Sequence, residues 1–174
     1  DQLLSSKIFS WVFIHSYSCL DRVNNEFQYL KPISSVMHNA TPKEKIKFLN
    51  KKRNFSIFNR SLSLRRRIWL LLSKNNIKII RGKFGDDYFK DLRDTQIAIN
   101  IHYSKNNLDD FESGIFEAMA SGCVIISETL NSKTMIDLDM NKAIIQIQSP
   151  WELYKKLKKI KKNPDIINPY LIES

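Results

Sequence analysis

From Asn54 onward the chain alternates short apolar runs with helix-length amphipathic ones, and this alternation constrains the fold more than any other feature. NFSIF (54–58), IKIIR (77–81), QIAINIHY (96–103), CVIIS (123–127) and AIIQI (143–147) read as strands. SLSLRRRIWLLLSKN (61–75), GDDYFKDLRDT (85–95) and ESGIFEAMAS (112–121) read as helices, with a weaker turn or helix near 133–138. The last helix, SPWELYKKLKKIKKN (149–163), carries its own start signal. Ser149 is placed to cap it, Pro150 has the φ of a first helical residue, and Glu152 stands at the capping-box position. Strands that are apolar along their whole length must be covered on both faces. Separated by helices, they predict an α/β fold with a doubly wound parallel sheet, whose ligands sit beyond the carboxyl ends of the strands.

The first 53 residues break this rhythm. SKIFSWVFIH (6–15) reads as a strand, DRVNNEFQYL (21–30) as a short helix, and TPKEKIKFLNKKR (41–53) as a helix with Thr41 as cap, Pro42 first and Glu44 completing the box. We expect residues 1–53 to be a short α/β extension, the tail of a further domain, and residues 54–174 to be the main domain.

An apolar content of 43% with only 4 glycines and 5 prolines fits a folded core and not a disordered chain. The formal net charge of +10 invites an anionic partner, although Lys, Asn and Ile share A/T-rich codons and genome composition alone could produce much of it. Cys19 and Cys123 lie far apart with no CxxC or Cys/His spacing. A zinc or thioredoxin-like site is therefore not expected, and free thiols in a reducing cytosol are the simpler reading. The longest apolar stretch, residues 8–19, is too short and too polar to span a bilayer. Neither GxSxG, HExxH, a P-loop nor GxGxxG occurs, which argues against hydrolase, zinc protease, NTPase and dinucleotide chemistry. The triplet DLD at 137–139 has the look of a metal-binding pair, but such triplets arise often by chance, and we expect no metal.

Chemistry-bearing residues gather where the strands should end: Asn59, Arg60 and Ser61 after the first, His102 and Tyr103 after the third, Ser127 and Glu128 after the fourth. Guanidinium groups grip phosphate oxygens bidentately, so an arginine of the run Arg65 to Arg67 facing the cleft would suit a pyrophosphate. Three in a row point around roughly 200° of helix, so not all of them can. In DDFESGIFEAMASG (109–122) two acids, Asp109 and Glu117, are separated by seven residues around a helix start. The free N–H groups of a helix N-terminus seat a phosphate, and nearby carboxylates accept hydrogen bonds from sugar hydroxyls. The combination points to a nucleotide-sugar site.

Taken in order, these motifs resemble the C-terminal, donor-binding domain of GT-B glycosyltransferases, in particular the group 1 and spore-maturation-like proteins. D-DFESGIF-E-AMASG-CVIIS is similar to the family's pattern of an acid, seven residues, Glu, small residues, Gly and an apolar strand. FNRSLSLRRR resembles its arginine-bearing helix start, and INIHYS its strand ending in Asn-x-His-Tyr; the likeness runs over residues 54–163. It implies a Rossmann-like sheet forming half of a GT-B fold, and transfer of a sugar from a nucleotide-diphosphate donor to a glycan, lipid or protein acceptor without a metal or cofactor. By position, Glu117 would accept hydrogen bonds from the ribose and Asp109 from the donor sugar. The loop Phe111, Glu112, Ser113 would offer backbone N–H groups, Ser61 with Arg65 or Arg66 would meet the pyrophosphate, and His102 would line the floor. Three departures stand out. Asp109 is one methylene shorter than the usual Glu, Gly114 stands where relatives often carry Arg, and Arg60 replaces a glycine, its side chain either supplying the missing charge or filling the site. The acceptor-binding half is not in these 174 residues, so the resemblance implies a fragment, inactive alone, or action with another chain. It further implies a cytoplasmic protein with peripheral membrane contact.

A different class of function competes with this one. Arg65 to Arg67 and the basic helix WELYKKLKKIKK, where Trp151, Tyr154, Leu157 and Ile160 recur every three residues, fit a non-catalytic module on nucleic acid or an anionic membrane. The same stripe packed on the sheet would need no ligand at all, and no specific nucleic acid is expected.

Overall fold

A computed structural model of the chain describes residues 11–14, 17–37, 54–58, 62–73, 76–79, 83–103, 113–130, 132–137, 139–140 and 142–170. The helix expected at 41–53 lies outside them, as do Arg60, Ser61, Asp109, Phe111 and Glu112. In chain order the strands are β1 (Val12–Ile14), β2 (Ser34–Val36), β3 (Asn54–Phe58), β4 (Lys78–Ile79), β5 (Thr95–Asn100), β6 (Val124–Glu128) and β7 (Ile144–Ile147). The helices are α1 (Tyr17–Glu26), α2 (Leu64–Leu71), α3 (Gly85–Arg93), α4 (Ser113–Ala120), α5 (Ser132–Asp137) and α6 (Pro150–Lys162), with 3-10 segments at Gln28–Ile33 and Pro164–Tyr170.

β3 to β7 form one parallel sheet in the order β4-β3-β5-β6-β7. Alternate side chains of each strand divide the core in two. On one face Ile97, Ile99, Ile101, Val124, Ile126, Ile145 and Ile147 meet Trp69 and Leu70 of α2 and Leu153, Leu157 and Ile160 of α6. On the other, Ala98, Ile125 and Ile144 meet Tyr88, Phe89 and Leu92 of α3, Ile115 and Ala118 of α4, and Met135 of α5. Helices thus cover both faces, as strands without a polar side require. The strand order is one of the two common doubly wound arrangements and reverses between β3 and β5, the position at whose carboxyl ends such sheets generally bind ligands.

Helix ends follow local chemistry. α2 starts at Leu64, three residues later than its first serine, because the extended Ser63 is the cap and its Oγ accepts from Arg66 N at 3.2 Å. In α6, Ser149 Oγ accepts from Glu152 N at 3.2 Å, and Glu152 Oε2 accepts in return from Gln148 N at 2.8 Å. The buried stripe of α6 is Leu153, Leu157 and Ile160, while Trp151 is half exposed. A strict three-residue repeat drifts around a 3.6-residue helix, so the stripe expected from Trp151 onward gives way to one spaced by four and three.

The N-terminal residues form a second, two-stranded parallel sheet, with Val12 opposite Ser34 and Ile14 opposite Val36, joined through α1. Strand β2 was not expected, and α1 begins four residues before the helix expected at 21–30 and gives way to a 3-10 segment containing Pro32. Tyr17, which opens α1, donates its phenol proton to Asp137 of α5, and the Lys133 ammonium lies 4.1 Å from the centre of the same ring. Both cysteines are free, and Cys123 is a small core residue whose Sγ donates to the Leu92 carbonyl at 3.1 Å. Among the described residues no helix is long and apolar enough to cross a membrane, and no cluster of His, Cys, Asp and Glu fits a metal ion.

Candidate functional site

The carboxyl ends of β5 and β6 carry a buried polar cluster: Asn100, His102, Ser127 and Glu128 all sit below 5% exposure in a sheet otherwise lined with isoleucine. Burying so many polar groups is unfavourable unless they pair, and their pairings organise the edge. Arg65, from the first turn of α2, binds both carboxylate oxygens of Glu128, with Nη1 at 2.7 Å from Oε2, and also donates to the His102 carbonyl at 3.0 Å. Glu128 Oε2 accepts a third bond, from His102 N at 3.0 Å. Arg66 donates from Nε to the Ile101 carbonyl at 2.7 Å, and its guanidinium carbon lies 5.7 and 5.4 Å from the ring centres of Phe58 and Tyr103. Ser63 Oγ donates to the Tyr103 carbonyl at 2.9 Å. The start of α2 is thereby locked over the end of β5, at the reversal in strand order.

Two atoms in this cluster lack partners among the described residues: Asn100 Oδ1 and His102 Nδ1. Their hydrogen-bonding sense can be worked out from their neighbours. Ser127 Oγ donates to the Glu128 carbonyl at 2.7 Å, so it must accept from Asn100 Nδ2 at 2.9 Å, which leaves Oδ1 as a bare acceptor. His102 Nε2 lies 3.0 Å from the Thr129 carbonyl, which can only accept, so Nε2 carries a proton; in that tautomer Nδ1 is a lone pair. Ala98 belongs to the face covered by α3 and α4, so alternation places Asn100 on that face as well. A buried acceptor without a donor costs about 1–3 kcal/mol, so each of these atoms calls for an O–H or N–H from beyond the described residues.

The sequence-derived residues fall into three groups. His102, Arg65 and Arg66 come together at this edge, though Arg65 is engaged by Glu128 and Arg66 is buried. Ser113 and Gly114 open α4, with Gly114 buried, and Glu117 lies half buried one turn further along. Arg60, Ser61, Asp109, Phe111 and Glu112 fall outside the described residues. Asn100 and Ser63 were not among the residues assigned to the ligand. Asn100 had a usable signal, an amide between isoleucines in the run IAINI, whereas Ser63 was masked by the serine two positions before it.

Fold and site together define a parallel α/β domain with a buried polar cluster at the carboxyl ends of its central strands, compatible with a Rossmann-like sheet. No protein-family model matches the chain, and a search among curated proteins gave no match.

Proposed function

We propose that this edge is the donor site of a GT-B-type glycosyltransferase, binding a nucleotide-diphosphate sugar whose sugar is passed to an acceptor. The observation that carries the reading is the pair of buried bare acceptors, Asn100 Oδ1 and His102 Nδ1, at the switch point. An anion offers them nothing, because it too only accepts. Hydroxyl groups of a sugar or ribose supply the O–H donors they need. In this reading the diphosphate takes a different seat, the N–H groups at the starts of α2 and α4, since the charge of Arg65 is already offset by Glu128. Glu117, one turn into α4, then accepts from the ribose, and no metal is required to hold the leaving diphosphate.

Calorimetric titration with a panel of UDP-, GDP- and ADP-sugars tests this directly. One of them should bind, and Glu117→Ala should weaken it about 10- to 100-fold, the loss of one or two hydrogen bonds to a charged acceptor, with an unchanged melting temperature. Unaltered binding by that variant, or no binding by the wild type across the panel, would overturn the reading.

A further inference from the structure

The outer face of α6 takes no part in the polar cluster at the ends of β5 and β6. Leu153, Leu157 and Ile160 anchor the helix in the core. At about 100° per residue, the line directly opposite that anchor runs through Trp151, Lys155, Lys158 and Lys162, over about 16 Å. All four are exposed, as are Lys156, Lys159 and Lys161. The helix holds six lysines against one acid, Glu152, and that carboxylate is turned back onto Gln148 N. Lys161 reaches Asn76 Oδ1 at 3.2 Å and braces the flank of the helix. The result is a straight cationic ridge on a rigid element, with one large aromatic at its end.

We infer that this ridge is a docking surface for an anionic lipid bilayer, lying flat on the headgroups with Trp151 at the interface. Nucleic acid is the other polyanion it has to be weighed against, and the aromatic residues decide between them. Single-stranded binding needs a free ring face on which a base can stack. The Trp151 ring is stacked on Tyr154, at 5.1 Å and 22°, and Lys155 Nζ lies 5.4 Å from its centre. Those two residues are three and four positions on, its neighbours on the same helix face. Lys158 takes the same position over Tyr154 at 5.7 Å. Stacked on Tyr154 with an ammonium within cation–π reach, the half-exposed indole is already engaged by its neighbours, which suits the headgroup layer where Trp settles with one side apolar and the other wet. The anchor residues stay in the core, so the contact is electrostatic and superficial and does not need an inserted apolar face.

Co-sedimentation of the full chain with phosphatidylcholine vesicles containing about 30% phosphatidylserine tests the inference. Binding should require the anionic lipid and fall away at about 0.5 M salt, where charges are screened within a few ångströms. K155A/K158A/K162A should lower partitioning roughly 100-fold, from about 1 kcal/mol per lysine, while its melting temperature and any nucleotide-sugar affinity stay at the wild-type values. Equal binding to neutral vesicles, an unaffected triple variant, or binding to oligo(dT) with none to vesicles would each overturn it. The nucleotide-sugar titration reads the donor site separately, so failure of either idea leaves the other measurable.

Discussion

At the scale of single residues, the edge of the sheet depends on Arg65 and Glu128, whose side chains are 19% and 5% exposed. Mutual attraction at such a site only offsets the cost of removing both charges from water, so the pair adds little net stability while each partner depends heavily on the other. Glu128→Ala strands the guanidinium and also leaves His102 N without its acceptor. A loss of about 3 kcal/mol in urea denaturation follows. Arg65→Met combined with Glu128→Leu should recover most of it, short of the one orphaned N–H. A single-variant loss below about 1 kcal/mol would show that the pair is solvated and not locked. The pairing was not legible in the sequence. Arg65 and Glu128 are 63 positions apart, and only the register of β5 on β6 brings the His102 backbone and the start of α2 to the same carboxylate.

Elements were legible where local chemistry decides them. The helix and strand at 113–128 follow from small residues, a glycine and an unbroken apolar run, and Gly122 is where the two meet. It sits at φ 74°, with its N–H on the Met119 carbonyl at 2.8 Å and Cys123 N on the Ala118 carbonyl at 3.0 Å, the two bonds of a Schellman ending. Gly122→Ala forces a Cβ into the left-handed region and should cost about 1–2 kcal/mol by thermal or urea unfolding. A smaller effect would mean that the turn relaxes to another ending. Where tertiary contacts decide, the sequence pattern misplaces the boundary. SLSL offers two serines as caps for α2, and Ser63 prevails because its hydroxyl serves both Arg66 N and the Tyr103 carbonyl, a partner 40 residues away. β2 has the weakest signal of all, SSV, and exists through pairing with β1.

At the scale of the whole molecule, the question is how the small N-terminal sheet is held to the main one. Tyr17 and α5 supply one described contact: the phenol donates to Asp137, and Lys133 covers the ring. The bond to Asp137 comes first in raising the Tyr17 pKa above its ordinary value of 10.0, with burial and the carboxylate's charge acting in the same direction. A raised folded-state pKa means that the folded form holds its proton more tightly than the unfolded chain. The contact therefore contributes fully below pH 10.0 and is lost as pH rises through the higher folded value, when a phenolate would face a carboxylate. Lys83 is raised in the same alkaline range by its hydrogen bond to Asp91, so global unfolding curves would mix the two. Hydrogen exchange resolved to α1 separates them, because Lys83 and Asp91 belong to the α3 side of the main sheet. Protection of α1 in the wild type should fall above the Tyr17 transition while that of β5 and β6 persists, and Tyr17→Phe should show the reduced protection already at neutral pH with no alkaline step. If α1 loses protection at the same pH in Tyr17→Phe as in the wild type, the phenol is not what holds the N-terminal sheet in place.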